Sequence, residues 1–226
     1  MESSIKKAFL IPGLALNPEV TGNIELEGYE KVYIRWIDPA GEESLESYAQ
    51  RIIDIYQILE NESIIILGHS FGGLLAQQIA SVRPLARLIL ISTVKDSSEI
   101  PWKIRFLKHG FAYHLASKKL ILRTLSLWGW YHGYDEPELH NAFVTEVSSL
   151  SNDYLIWAYK RIIHWEGIPT RNEFIHIHGD MDKTFPIENI GNCLTLSGGD
   201  HLMVFKRSTE INILIASFLL AQNRIA

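Results

Sequence analysis

The sequence has few of the features that characterise secreted or membrane proteins. Its single cysteine, Cys193, cannot form an intramolecular disulfide, so nothing indicates an oxidising compartment. The longest apolar stretch, residues 213–221, is well short of the roughly 18 residues that cross a bilayer. The apolar run at residues 8–11 is too short for the core of a signal peptide. We therefore expect a cytoplasmic protein with no membrane partner.

Positive charge is also scarce. The chain has 21 lysines and arginines against 26 aspartates and glutamates, which gives a formal net charge of −5. That balance offers no general basis for binding a phosphate backbone, so we expect no nucleic-acid partner. Residues 100–134 differ, because they contain no acidic residue. Their cations are Lys103, Arg105, Lys108, Lys118, Lys119 and Arg123. They predict either a solvated helical face or a surface that attracts an anionic or carrier-linked substrate.

What the sequence does contain is a repeated pattern of short apolar runs. Runs that are apolar on both faces are typical of central strands in a parallel sheet covered by helices. The six runs are residues 7–11, 31–36, 63–67, 86–91, 173–178 and 192–196. Helical patterns lie between several of them. This alternation predicts an α/β fold with a doubly wound, mostly parallel sheet of about six strands and right-handed crossovers.

Three segments have the apolar periodicity of helices. In residues 45–59 the apolar side chains recur every three or four positions, which indicates an amphipathic helix, and Ser44 is placed to cap its first turn. Helices are also expected over residues 71–82 and 202–220.

One long segment, residues 97–169, has helical patterns without a strand-like run, and it is too long for an ordinary crossover. We interpret it as a helical cap, or lid, inserted between the fourth and fifth strands. Residues 1–96 and 170–226 would then form the α/β core.

The cap segment is rich in aromatic residues. Of the 24 aromatic residues in the chain, 13 lie between residues 101 and 167. A thin helical layer cannot bury them all, so some are expected to line a pocket between cap and sheet. Our candidates for substrate contacts are Trp102, Trp128, Trp130 and Tyr131, and Tyr134 completes the same aromatic stripe, although packing within the cap explains them equally well.

The segment GHSFGG, residues 68–73, joins a predicted strand to a predicted helix. A Gly-x-Ser-x-Gly pattern in this strand–turn–helix context is typical of a nucleophile held on a sharp turn. Gly68, Gly72 and Gly73 remove side chains that would collide in such a turn. The helix N-terminus beside Ser70 favours negative charge on a substrate oxygen. The pattern therefore predicts Ser70 as a nucleophile.

A nucleophilic serine needs a base, and the base needs an orienting acid. The fifth predicted strand ends in HGDMDKTFP, and the sixth ends in SGGDH. The carboxyl ends of parallel strands meet at one edge of a sheet, so His201 and a carboxylate can converge there on Ser70. Asp182 is the candidate acid, and Asp180 and Asp96 are alternatives. The chain order of serine, acid and histidine agrees with this architecture.

The same segment also permits a metal-binding interpretation. His176, His178 and Asp180 alternate along a strand as in half of a metallohydrolase motif that binds zinc. The next residue, Met181, is not a further ligand, and few residues follow to complete a set. Two partly buried histidines are the simpler interpretation, so we expect no metal and no cofactor. His69 is likewise more readily a packing neighbour of the nucleophile than a base.

These motifs resemble those of the α/β-hydrolase superfamily, specifically its small, cap-bearing, esterase-like members. The resemblance covers nearly the whole chain and is carried by GHSFGG, HGDMDKTFP, GGDH and the LIPGL that follows the first strand. It implies that Asp182 rather than Asp180 is the acid, and that the backbone N–H groups of Leu14 and Phe71 form an oxyanion hole. It also implies that two N-terminal strands of the family are absent and that the segment between acid and histidine is shortened.

Together these features imply a serine hydrolase that cleaves an ester or thioester of small to medium size through an acyl-enzyme. Carbon–carbon bond cleavage or another reaction of the same triad remains open, as does non-catalytic ligand binding in this fold. The sequence also leaves open whether the chain is a monomer or a homodimer.

Overall fold

Short, mostly apolar runs form a sheet at the centre of the molecule. The computed structural model describes residues 6–106, 117–169 and 171–222, and the predicted surface cation Lys108 lies outside them. The strands are β1 (Lys6–Ile11), β2 (Tyr29–Tyr33), β3 (Ile65–His69), β4 (Arg87–Ile91), β5 (Phe174–Gly179) and β6 (Leu194–Leu196). They pair in parallel in the order β2-β1-β3-β4-β5-β6. The predicted α/β fold with a parallel sheet of about six strands is confirmed.

The direction in which the chain adds strands reverses next to β1. The chain passes from β1 outward to β2, returns to form β3 on the other side of β1, and then adds β4, β5 and β6 in turn. The loops after β1 and β3 therefore diverge at the carboxyl edge of the sheet. In open α/β sheets a crevice for ligands forms at such a point. The central strand β3 is buried along its whole length, which explains why its sequence is apolar on both faces.

The helices of the core follow the predicted pattern closely. Helix α1 (Leu45–Tyr56) begins after Ser44, whose side chain accepts a hydrogen bond from the N–H of Ser47, as expected for a cap. Helix α2 (Phe71–Ser81) packs against β3, β4 and α1. No described helix combines the length and the apolar character that crossing a membrane requires.

The C-terminal helix differs from its prediction as one continuous element over residues 202–220. It is divided into α7 (Met203–Lys206) and α8 (Ser208–Gln222). The division occurs because the backbone of Arg207 has φ −125° and ψ 32°, outside the helical region.

Between β4 and β5, the described residues form helices and no strand, apart from an isolated bridge between Asp96 and Gly167. The helices are α3 (Trp102–Phe106), α4 (Lys118–Trp128), α5 (Pro137–Ser149) and α6 (Asn152–Ile163), with a 3-10 turn at Trp130–His132. Helix α6 is firmly packed, since Trp157 is buried and its indole N–H donates to the carbonyl of Glu43 at 2.8 Å. Helix α3 has no buried residue.

Candidate active site

Ser70 lies on the sharp turn between β3 and α2. Its backbone has φ 52° and ψ −122°, a strained conformation for a residue other than glycine. A Cβ on Gly68 would lie 2.5 Å from the carbonyl oxygen of Gly72, and one on Gly72 would lie 2.3 Å from that of Pro12. A Cβ on Gly73 would lie 2.3 Å from Oγ1 of Thr93, in the loop after β4. The turn is therefore possible only because all three predicted glycines lack a side chain.

Three of the predicted residues form a continuous hydrogen-bonded series. The Oγ of Ser70 lies 2.8 Å from Nε2 of His201, and Nδ1 of His201 lies 2.8 Å from Oδ2 of Asp182. A proton on Nδ1 that faces the carboxylate leaves the lone pair of Nε2 to accept the serine proton. The geometry is therefore that of a nucleophile, a general base and an orienting acid.

The Asp182 carboxylate is buried but well supplied with hydrogen-bond donors. Its Oδ1 accepts from the backbone N–H groups of Thr184 at 2.8 Å and Phe185 at 2.9 Å. Burial raises the pKa of Asp182, but the charge and hydrogen bond of His201, followed by the nearby His178, outweigh burial and hold the pKa below its usual value. The carboxylate is therefore ionised at neutral pH.

The two alternative acids, Asp180 and Asp96, make hydrogen bonds to groups other than His201. Asp180 accepts hydrogen bonds from the N–H of Gly198 at 2.6 Å and from the hydroxyl of Ser197 at 3.2 Å, so it holds the loop after β6. Asp96 is exposed and accepts from the N–H and hydroxyl of Ser98 at 2.7 and 2.5 Å. Asp182 occupies the position beside Nδ1 of the histidine.

The loop after β1 brings a second set of backbone groups towards the serine. Leu14 lines the same cavity as the nucleophile, and Ala15 adopts a left-handed φ of 54°. The carbonyl of Gly13 accepts a 3.0 Å hydrogen bond from the indole of Trp36, which anchors the loop. Phe71 is the first residue of α2, and the first N–H groups of a helix have no acceptor within it. The two predicted oxyanion donors thus lie on the segments beside Ser70, Leu14 in the loop after β1 and Phe71 at the start of α2.

A cavity of about 390 Å³ lies over the serine and histidine. Its apolar walls come from both the core and the helices between β4 and β5, and no charged side chain is among its described lining residues. Apolar lining residues include Leu16, Ile104, Ile121, Phe143, Leu155, Ile162 and Phe185. Besides Ser70 and His201, the polar side chains of the lining are His132, Tyr134, Tyr159 and Thr184. Such a surface suits an uncharged, largely apolar group.

Of the predicted aromatic contacts, Tyr134 lines this cavity, and three others do not. Trp102, Trp130 and Tyr131 have exposed fractions of 67%, 68% and 48%, and none of the three is among the lining residues. The side chain of Trp128 lies outside the part of the chain that the structure describes. The physical reason is that Trp102, Trp130 and Tyr131 lie on outward-facing positions of α3 and of the turn after α4.

The aromatics Phe143, Tyr159 and Phe185, which were not predicted, also line the cavity, and the sequence contains a usable signal for Tyr159. Leu155, Tyr159 and Ile162 are spaced at i, i+4 and i+7, so they lie on a single face of α6, and all three line the cavity. The helical periodicity of residues 152–163 would therefore have been a better guide than aromatic content alone.

A contact between the turn at Trp130–His132 and the loop after β5 (residues 180–186, the acid loop) had no signal in the sequence. Nδ1 of His132 lies 2.8 Å from the hydroxyl oxygen of Thr184, and both residues line the cavity. Burial and the proximity of His201 lower the pKa of His132, which favours its neutral form. The contact joins residues 52 positions apart, so no local pattern indicates it.

The zinc interpretation finds no support in the geometry. Within the described residues, no group of three or more histidine, cysteine, aspartate or glutamate side chains is arranged to hold a metal. His176 and His178 are more deeply buried than predicted, with exposed fractions of 2% and 0%. His69 is also buried, and its Nε2 lies 2.8 Å from the carbonyl oxygen of His201, so it packs beneath the triad as a neighbour.

Comparisons with known proteins agree with this architecture. A sequence model described as the alpha/beta hydrolase family matches residues 25–212. An esterase from Exiguobacterium antarcticum has a similar fold, with 17% identity, a TM-score of 0.74, and coverage of 94% of this chain and 91% of that chain. MenH from S. aureus is 16% identical, with a TM-score of 0.74 and coverage of 98% of this chain and 96% of that chain.

A Bacillus megaterium epoxide hydrolase is also similar in fold, at 16% identity and a TM-score of 0.65, with coverage of 95% of this chain and 93% of that chain. No curated protein sequence matches the chain significantly. At these identities the structural similarities establish the fold and leave the reaction to be inferred from the site.

Proposed function

Because the chain belongs to the alpha/beta hydrolase family, we propose that it is a serine hydrolase acting on a carboxylic ester or thioester. The observation that carries this proposal is the series from Ser70 through His201 to Asp182, with both links at 2.8 Å. Three residues that are far apart in the chain meet with the spacing that proton transfer from a serine requires.

In the proposed reaction, Oγ of Ser70 attacks the carbonyl carbon while Nε2 of His201 accepts the hydroxyl proton. The carbonyl oxygen becomes an oxyanion, to which the N–H groups of Leu14 and Phe71 donate hydrogen bonds. The tetrahedral intermediate then expels the alcohol or thiol, which takes the proton from His201, and the acyl group stays on the serine. Asp182 stabilises the imidazolium that forms in this step.

A water molecule completes the cycle in the second half of the reaction. His201 accepts a proton from the water, whose oxygen attacks the acyl carbon, and the proton then returns to the leaving serine oxygen. The carboxylic acid is released and the enzyme is restored. His201 accepts or donates the proton in every step of the proposed reaction.

The cavity supports an uncharged acyl group of short to medium length. Its volume of about 390 Å³ lies near the lower end of the range for small-molecule sites, roughly 300–1,000 Å³. A substrate carboxylate buried there would have no described cation beside it. Burying such an unpaired charge would weaken binding by several kcal/mol.

An anionic or carrier-linked substrate fits this proposal only if its charge lies on the leaving group. Lys103 and Arg105 flank the cavity residue Ile104, and Lys119 and Arg123 lie on the same helix as Ile121. These four cations are exposed. We propose that a negative charge on the leaving group would lie near them, outside the cavity.

The first test is the replacement Ser70→Ala. The value of kcat on p-nitrophenyl butyrate should fall by at least about 1,000-fold, because the nucleophile is lost while the fold is kept. Ser81→Ala is the matched control, since Ser81 is an exposed serine at the other end of α2. A fluorophosphonate probe should label Ser70 in the unaltered protein.

Two results would contradict the proposal. One is a Ser70→Ala variant that keeps most of the activity, and the other is a folded wild-type protein that hydrolyses no ester or thioester of a chain-length panel and resists the probe. The second result would favour a ligand-binding protein of this fold.

A further inference from the structure

A second cluster of polar side chains lies next to Asp182 and consists of Lys95, Glu99, His176 and His178. His176 and His178 are two residues apart on β5, so they lie on the same face, and neither lines the cavity over Ser70. Buried imidazoles are costly unless their ring nitrogens are hydrogen-bonded. The partners of these four nitrogen atoms therefore determine what the cluster does.

The cluster begins at a lysine whose bonding is complete. Nζ of Lys95 lies 2.7 Å from Oε1 of Glu99, 2.9 Å from Nδ1 of His176 and 2.6 Å from the carbonyl oxygen of Gly191. An ammonium group has three protons, and here each has an acceptor. Nδ1 of His176 accordingly accepts a hydrogen bond. Burial and the charge of Lys95 lower the pKa of His176 to about 2, so the ring is neutral with its proton on Nε2.

The direction of hydrogen bonding continues from one histidine to the next. Nε2 of His176 lies 3.4 Å from Nδ1 of His178, and the carbonyl of Thr93 is a further acceptor for the same ring. Nε2 of His178 lies 2.8 Å from the carbonyl oxygen of Phe185, an atom that can only accept. The proton of His178 is therefore on Nε2, and Nδ1 is free to accept from His176. Every nitrogen of the series then has a consistent role.

The far end of the series contacts the acid loop at two points. Besides its bond to the carbonyl of Phe185, Nε2 of His178 lies 3.4 Å from Oδ2 of Asp182, the oxygen that faces His201. The N–H of Phe185 in turn donates to Oδ1 of Asp182. His178 thus fixes the position of Phe185, whose N–H donates to the Asp182 carboxylate, and the Nε2–H of His178 also points towards this carboxylate.

We propose that Lys95, His176 and His178 are positioning residues for the reaction. The ammonium of Lys95 sets the tautomer of His176, whose Nε2–H is directed towards Nδ1 of His178. The carbonyl of Phe185 sets the tautomer of His178, so that its Nε2–H faces the acid loop and keeps Asp182 oriented towards His201. The proposal rests on the proposed function, in which Asp182 and His201 are the acid and the base. A cluster that only joined β4 to β5 would stabilise the fold without affecting this orientation.

The decisive comparison is between two replacements of His178. His178→Gln keeps an N–H donor close to the position of Nε2, whereas His178→Leu has a similar volume and no donor. We expect His178→Leu to lower kcat on p-nitrophenyl butyrate by about 10-fold or more, since small displacements of catalytic groups have large effects. KM should stay unchanged, because His178 does not line the cavity. His178→Gln should restore kcat to within about threefold of the wild-type value.

A spectroscopic readout separates this proposal from the proposed function. The proton between Nδ1 of His201 and Asp182 gives a downfield NMR resonance that requires no substrate. It should shift or broaden in His178→Leu and be restored in His178→Gln. If the wild-type protein hydrolyses no ester or thioester and the fluorophosphonate probe fails to label Ser70, the proposed function fails. A labelled protein with an unaltered resonance in His178→Leu overturns only the positioning role.

A second pair of variants tests the start of the series and covers the case in which His178→Leu does not fold. Lys95→Met combined with Glu99→Gln removes the ion pair without leaving a buried charge, and it should lower kcat and perturb the same resonance. Lys31→Met is the control, because Lys31 lies on β2 and its Nζ donates to the backbone carbonyls of Gly22 and Ile24 and lies 5.9 Å from the centre of the Tyr33 ring. The proposal is overturned if the double variant matches wild type in kcat and resonance, or if His178→Leu and His178→Gln are equally impaired.

Discussion

At the scale of single residues, the environment of Asp182 differs sharply from that of Asp180, although only Met181 separates them. Asp182 is 2% exposed, and its two oxygens accept from different groups: Oδ1 accepts from backbone N–H groups of its own loop, and Oδ2 accepts from His201. Asp180 is exposed and accepts from the loop after β6. The two carboxylates therefore provide a matched pair for testing which acid orients the base.

Asp182→Asn should lower kcat by roughly 1,000- to 10,000-fold, because an amide beside Nδ1 no longer stabilises the imidazolium and favours the wrong tautomer of His201. Asp180→Asn should leave kcat within a few-fold of wild type. Steady-state kinetics on one neutral ester checks both variants. Equal losses in the two variants would show that Asp182 has no special role.

At the scale of elements, the cavity is shaped by one face of α6 together with single residues from α3, α4 and α5. Leu155, Tyr159 and Ile162 project from α6 on successive turns, and Ile121 projects from α4. The exposed Trp130 belongs to the turn that follows α4 and lies outside the cavity. Acyl-chain selectivity should therefore depend on the helix faces rather than on the exposed aromatics.

Ile121→Trp should shift the preferred acyl chain to a shorter length, because the larger side chain occupies part of the cavity. Trp130→Ala should leave the chain-length profile unchanged. The ratio of kcat/KM for p-nitrophenyl acetate and p-nitrophenyl octanoate measures the shift directly. A profile that responds to Trp130→Ala and not to Ile121→Trp would restore the original assignment of the aromatic contacts.

At the scale of the whole molecule, charge and burial are distributed unequally. The net charge is −5, yet residues 100–134 contain cations and no acidic residue. Of these cations, Lys103, Arg105, Lys119 and Arg123 are exposed, while the described lining of the cavity is uncharged. Surface charge of this kind acts over about 8–10 Å at physiological salt, so it would influence how a charged substrate arrives more than how it is held.

For an ester with a negatively charged leaving group, kcat/KM should fall as the salt concentration rises from low values to about 150 mM. The neutral p-nitrophenyl butyrate should show no such dependence. Lys119→Glu combined with Arg123→Glu should remove or reverse the effect on the anionic ester alone. An anionic substrate whose kcat/KM is the same at every salt concentration would contradict a role for these cations.

Much of the molecule follows from local features of the sequence. The strands are visible as runs apolar on both faces, α1 as a 3.6-residue periodicity that starts at Ser44, and the turn at Ser70 as glycines at fixed offsets. Each of these features depends on atoms a few residues apart, so the sequence alone determines it. The sequence pattern predicted the ends of elements less well, since the break in the C-terminal helix is visible only in the backbone angles of Arg207, φ −125° and ψ 32°.

The tertiary structure decided which distant groups meet. Residue spacing left three candidate acids, and the family resemblance favoured Asp182, but only the folded loop shows that Oδ2 of Asp182 faces His201. The partners of His176 were likewise beyond sequence reasoning, and so was the lining of the cavity apart from the periodic face of α6. Lys95 and His176 are 81 residues apart, and His201 and Ser70 are 131 residues apart. Such contacts depend on the order of the strands and the course of their loops, and a local pattern of side chains contains neither.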